Sequence, residues 1–157
     1  LQNIKLGPKI NSNKNCLSTK KIYELLQKYE LAGFEKSRPN ELSGGMRQRV
    51  SLIRTLALNP KLLLLDEPFS ALDYQTRLAV QNDIHSIIKS ERKTAILVTH
   101  DISEAISMSD RIIVLSKRPG TVKSIINLNF PANQTPLERR NNIEFNGYFK
   151  ILWEALQ

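Results

Sequence analysis

Four consecutive leucines, Leu62 to Leu65, run without alternation into Asp66 and Glu67, and Pro68 follows at once. A short apolar run with no polar face predicts a strand buried on both sides, as in a parallel sheet covered by helices. Thr94 to Thr99, reading TAILVT, has the same character. Between the two, Leu78, Ile84, Ile87 and Ile88 predict a helix from about Gln75 to Ser90. Strand, helix, strand is the signature of an α/β layered domain.

The remaining elements follow the same logic. Ile22, Leu25, Leu26 and Tyr29 recur at helical spacing, with Ser18 as cap and Gly33 as stop, which predicts a helix to about Ala32. A second helix starts at Ser43, carries Met46, Val50, Ile53 and Ala57 on one stripe, and stops at Asn59 and Pro60. Glycines in its first turn, Gly44 and Gly45, lower helix stability by roughly 1 kcal/mol each relative to Ala, so a close approach to bare backbone is expected there. Asp101 and Glu104 open a short helix to about Met108. Arg111–Leu115 and Val122–Leu128 read as a hairpin turned at Pro119 and Gly120.

Leu1 to Leu17 show no period and read as a loop or the edge of another element, and Pro131 to Arg140 read as a polar loop. The chain closes on an amphipathic helix through Phe145, Phe149, Leu152 and Leu156, with Trp153 beside the stripe and self-docking expected.

At 157 residues, with 41% apolar and 24% charged residues, the composition is that of a globular chain. The net charge of +8 is spread without a basic run, so it reads as a solvated surface and no nucleic-acid partner is expected. The single cysteine, Cys16, cannot form an intramolecular disulfide. No stretch has the apolar length of a membrane span, and a cytoplasmic or peripheral location is expected.

The chemistry gathers at strand ends. In open α/β sheets ligands bind beyond the carboxyl ends of the strands, where Asp66, Glu67 and His100 fall. Asp66 is placed to hold Mg²⁺ through water, Glu67 to polarise an attacking water, and His100 to hydrogen-bond a terminal phosphate. Ser43, Gly44 and Gly45 stand at a helix N-terminus, which favours anions. Each has a plainer alternative: an Asp-Glu pair after a strand is often a cap or solvated turn, and a lone histidine is often structural. That second reading is the one given to His85.

In combination, LSGGMRQR, LLLLDEP, SALD and VTHD, in this order and spacing, closely resemble the ATP-binding subunits of ABC transporters. The resemblance implies a partial P-loop NTPase fold of ABC type, with parallel core strands and an α-helical subdomain carrying the signature. It makes Leu42 to Met46 the signature, Leu62 to Asp66 the Walker B strand, Glu67 the catalytic carboxylate, Ser70 to Asp73 the D-loop and His100 the switch histidine. It further implies ATP and Mg²⁺ as ligands. A second ATPase subunit would be arranged head to tail, with Ser43, Gly44, Gly45 and Asp73 facing the nucleotide across the interface. A transmembrane permease would be a direct partner and a solute-binding protein an indirect one, with this chain peripheral on the inner face of the membrane.

Residues 1–58 are then the helical signature subdomain, 59–130 the Walker B, D-loop and H-loop core, and 131–157 the tail. Arg118 to Gly120 and the polar tail resemble the nitrate, sulfonate and taurine importer group. One departure stands out: no G-x-x-x-x-G-K followed by Ser or Thr occurs, so the phosphate loop is missing from the sequence and the chain reads as the rear part of a longer domain, not competent alone. The alternatives are a non-catalytic module that lends its signature face to an intact partner, or a nucleic-acid-associated ABC ATPase.

Overall fold

The structure, a computed structural model, describes residues 1–10 and 16–157. The chain divides into two compact units, Leu1–Ile96 and Leu97–Gln157.

The first unit is built round α3 (Gly44–Leu56), which packs against α1 (Gln2–Ile10), α2 (Thr19–Lys28) and α4 (Tyr74–Ser90). Serving three neighbours displaces the expected stripe: Leu52, Ile53, Leu56 and Ala57 are buried, while Met46 and Val50 are half-buried. The side-chain hydroxyl of Ser18 caps α2 by accepting the Lys21 amide at 3.3 Å. That helix closes at Tyr29, short of the expected Ala32, because Glu30 takes a left-handed backbone (φ 58°) before Gly33 does (φ 87°). Arg49 of α3 ties the packing to α4 through Asp83 Oδ2 at 2.6 Å.

α1 corrects the expectation of a loop at the front of the chain; the part of that loop at 11–15 lies outside the described residues. Gly7 and Pro8 mark a break in sequence terms, yet both sit inside the helix. Ile4 is buried at its centre, and a Cβ on Gly7 would lie 3.0 Å from Leu58 Cδ2, so the glycine admits close packing.

β1 (Leu62–Asp66) and β2 (Thr94–Val98) form a two-stranded sheet linked by the crossover helix α4, in the parallel arrangement of an α/β unit. The expectation that β1 is buried on both faces is not met. Leu63 is 1% exposed but Leu64 is 72% exposed, so the strand alternates and only one face is covered.

In the second unit, α5 (Ile102–Met108) precedes β3 (Arg111–Leu115) and β4 (Val122–Asn127), an antiparallel pair whose register runs from Arg111 opposite Asn127 to Leu115 opposite Val122. Ile106, Ile112, Val114, Leu128, Phe145 and Leu152 form its core. The last two belong to α7 (Phe145–Leu156), so the terminal helix docks on its own unit as expected. Trp153 stays half exposed, stacked on Phe149 at 6.4 Å.

The expected loop at 131–140 contains a further helix, α6 (Pro136–Arg140). Thr135 and Glu138 close a reciprocal capping box and Pro136 occupies the first turn, a start signal strong enough to order even five residues. α6 also delivers Arg139, 1% exposed, whose guanidinium donates to the Ser109 carbonyl at 2.6 Å and to Asp110 Oδ1 at 3.1 Å over the Phe130 ring. No helix among the described residues is long and apolar enough to cross a membrane.

Candidate functional site

Ser43 is the N-cap of α3: its backbone is extended (φ −64°, ψ 166°) and its Oγ accepts the Met46 amide at 3.2 Å. This leaves amides of the first turn, Gly44 and Gly45 among them, without intrahelical partners, the arrangement that draws an anion to a helix N-terminus. Arg47 adds charge there. Its Nη1 donates to the Leu42 carbonyl at 2.7 Å, fixing a cation beside the positive end of the helix dipole.

The glycines have a second physical reason, internal to the chain. A Cβ on Gly44 would stand 3.1 Å from Leu72 Cδ2, and one on Gly45 would stand 3.0 Å from Val80 Cγ2. The start of α3 is thus pressed against the turn that follows β1 and against α4. Sequence reasoning assigned the glycines to a ligand and missed this packing, since nothing in the local pattern reveals which helix lies opposite.

Asp66 ends β1 with its side chain exposed, and Glu67 follows, half-buried, in a left-handed backbone (φ 45°). The chain then makes two tight turns. The Ser70 amide returns to the Glu67 carbonyl at 3.3 Å and the Leu72 amide to the Phe69 carbonyl at 3.1 Å. Phe69, 1% exposed, anchors the loop in the core. Asp73 then caps α4, accepting the Thr76 amide at 3.0 Å, and that bond holds its carboxyl below the usual range. Arg77 Nη2 holds the Leu72 carbonyl at 3.1 Å. Arg47 and Arg77 therefore play the same part at two helix starts, each reaching back five residues to the carbonyl ahead of its cap.

One unit therefore carries Ser43, Gly44, Gly45, Asp66, Glu67 and Asp73. His100 belongs to the other, exposed in the bend between β2 and α5, just before Asp101 caps that helix through the Glu104 amide at 3.0 Å. Among the described residues no group of three or more His, Cys, Asp or Glu could hold a metal. Asp66, an exposed carboxylate at a strand end, does fit Mg²⁺, an ion that keeps most of its water and shares its remaining positions with phosphate oxygens.

Comparison with known proteins gives consistent matches. Residues 1–70 match the family described as ABC transporter. The ABC transporter ATP-binding protein YtlC of Bacillus subtilis is 47% identical over 156 residues, which cover 99% of this chain and 60% of that protein. The aliphatic sulfonates import ATP-binding protein SsuB of Bacillus anthracis is 48% identical over 117 residues, 73% of this chain and 47% of SsuB. The nitrate import ATP-binding protein NrtD of a Synechocystis strain is 39% identical over 146 residues, 91% of this chain and 54% of NrtD. Among solved structures, the dimeric ATP-binding cassette MJ0796 bound to ADP and Pi superposes with a TM-score of 0.58 at 34% identity, covering 83% of this chain and 56% of that one. The chain thus spans between about half and 60% of the length of these relatives.

Proposed function

Because this chain is a homologue of ABC transporter ATP-binding subunits and carries part of the ABC-type ATPase fold, we propose that it is the signature and Walker B portion of an importer ATPase for a small anionic solute. The sulfonate and nitrate import relatives support the solute class. The observation that carries the reading is the seating of Gly44 against Leu72, which sets the signature helix directly on the turn that follows Asp66 and Glu67.

In this reading Asp66 holds Mg²⁺ through water and Glu67 polarises the attacking water at the chain's own nucleotide, while His100 hydrogen-bonds a terminal phosphate. Ser43, Gly44 and Gly45 serve the nucleotide of a second, head-to-tail ATPase subunit, and Asp73 faces that subunit. A transmembrane permease, with this chain against the inner face of the membrane, receives the work of hydrolysis. The phosphate loop comes from polypeptide outside these 157 residues, so the chain alone turns over no ATP.

In a second reading the chain lends only its signature face to an intact partner. One experiment tests what both readings require. The 157-residue chain is assayed for steady-state ATP turnover alone, then for MgATP-dependent association with a relative that carries the phosphate loop. Silence alone, with association abolished by Ser43→Arg, is the expected result. Turnover by the chain alone that Glu67→Gln abolishes contradicts its dependence on another phosphate loop, and association indifferent to Ser43→Arg removes the signature face from both readings.

A further inference from the structure

We propose that Ser70 is a positioning residue for Glu67, holding its backbone in the left-handed conformation that sets the direction of its carboxylate. The inference rests on the reading of Glu67 as the water-polarising group and adds a residue through which that group is held.

Pro68 closes the right-handed helical region to Glu67, since the proline ring clashes with the residue before it. Left alone, a non-glycine residue there relaxes to extended backbone; instead Glu67 has φ 45°, a state that persists only where its surroundings over-determine it. Ser70 supplies that constraint. Its amide donates to the Glu67 carbonyl at 3.3 Å and its hydroxyl to the same oxygen at 3.0 Å. Two donors on one carbonyl fix the plane of the Glu67–Pro68 peptide, and with φ set the plane determines where the Glu67 side chain leaves the backbone.

The far end of the turn is equally fixed. Phe69 is 1% exposed and its carbonyl accepts the Leu72 amide at 3.1 Å, so Ser70 is held on a buried anchor. The Ser70 side chain itself is at the surface, and its replacement removes one hydrogen bond with little loss of packing.

The test compares isotope-labelled 157-residue chains carrying Ser70→Ala, Ser70→Gly and Ser70→Thr with the parent, reading the Glu67 Cα and Cβ chemical shifts and its amide coupling by NMR. Ser70→Thr keeps the hydroxyl and is expected to keep the left-handed signature. Ser70→Ala and Ser70→Gly are expected to move Glu67 toward extended values while resonances outside residues 66–73 stay in place, a local change that a merely structural role would not produce. A left-handed Glu67 in either hydroxyl-free variant overturns the proposal, as does its loss in Ser70→Thr. The catalytic reading is judged separately: in a longer polypeptide that carries the phosphate loop, undiminished turnover with Glu67→Gln removes the role of Glu67 and leaves the NMR result on Ser70 standing.

Discussion

Gly45 lies so close to Val80 that a Cβ added to the glycine would stand 3.0 Å from Val80 Cγ2. Near a helix start, Gly to Ala ordinarily gains up to about 1 kcal/mol. Here Val80 is 3% exposed and has nowhere to move, so Gly45→Ala is expected to cost about 1–3 kcal/mol, and Val80→Ala in the same chain to recover part of that loss. Gly44→Ala meets the end of the half-buried Leu72 side chain and is expected to cost less. Urea denaturation of the four chains decides the order; a stabilised Gly45→Ala would contradict the packing argument.

Glu67 sits at φ 45° without being glycine. Glu67→Gly is therefore expected to stabilise the first unit by about 1 kcal/mol, whereas Glu67→Gln keeps the Cβ and leaves stability unchanged. Equal melting of the two variants would mean that the left-handed turn carries no strain.

Tyr29 and Lys28 at the end of α2 meet Glu91 at the end of α4. The Tyr29 hydroxyl donates to Glu91 Oε1 at 2.9 Å and lies 2.8 Å from Ser90 Oγ, and Lys28 Nζ is also 2.9 Å from Glu91 Oε1. Burial pushes the Glu91 carboxyl up, but the hydrogen bonds from Lys28 and Tyr29 outweigh it and the net shift is downward from 4.5. A depressed carboxyl contributes stability that is complete above its unfolded value and is lost as pH falls through the folded one. The parent is thus expected to lose its advantage over Glu91→Gln as pH falls below about 4.5 toward 3, with no such convergence between pH 6 and 8. Tyr29→Phe is expected to cost about 1–2 kcal/mol at pH 7. Chemical denaturation at a series of pH values checks both.

Arg139 and Asp110 make an asymmetric pair: the arginine side chain is 2% exposed and the aspartate 72%. Arg139→Ala opens a hole beside Phe130 and strips the Ser109 carbonyl of its donor, for an expected loss of about 2–4 kcal/mol. Asp110→Asn removes only a solvent-screened charge and is expected to cost less than about 1 kcal/mol. Thermal melts with the two losses equal would show that charge pairing outweighs burial at this site.

Much of this architecture was legible because side-chain chemistry states it locally. Ser43 and Asp101 are caps by residue type and are caps in the structure, and the strand at Leu62 and the hairpin from Arg111 stand out by apolar content alone. What stayed hidden depends on neighbours. Gly7 and Pro8 read as punctuation, yet Leu58 makes the glycine a packing surface and Ile4 carries the helix through. Leu64 reads as buried and is exposed, because apolar content records what a side chain tolerates and not what covers it. At the candidate site the cap and the carboxylate pair are visible in sequence. Arg77 on the Leu72 carbonyl and Ser70 on the Glu67 carbonyl are not, since an Arg or Ser in a sequence has many equivalent uses.

The stacked Trp153 has a practical consequence. It is the only tryptophan in the chain and belongs to the second unit, so its emission reports on that unit directly. If the two units lose structure separately, a fluorescence melt would register Arg139→Ala and stay blind to Gly45→Ala, Glu67→Gly and Tyr29→Phe. Those three call for backbone observables such as amide exchange, which resolve opening unit by unit.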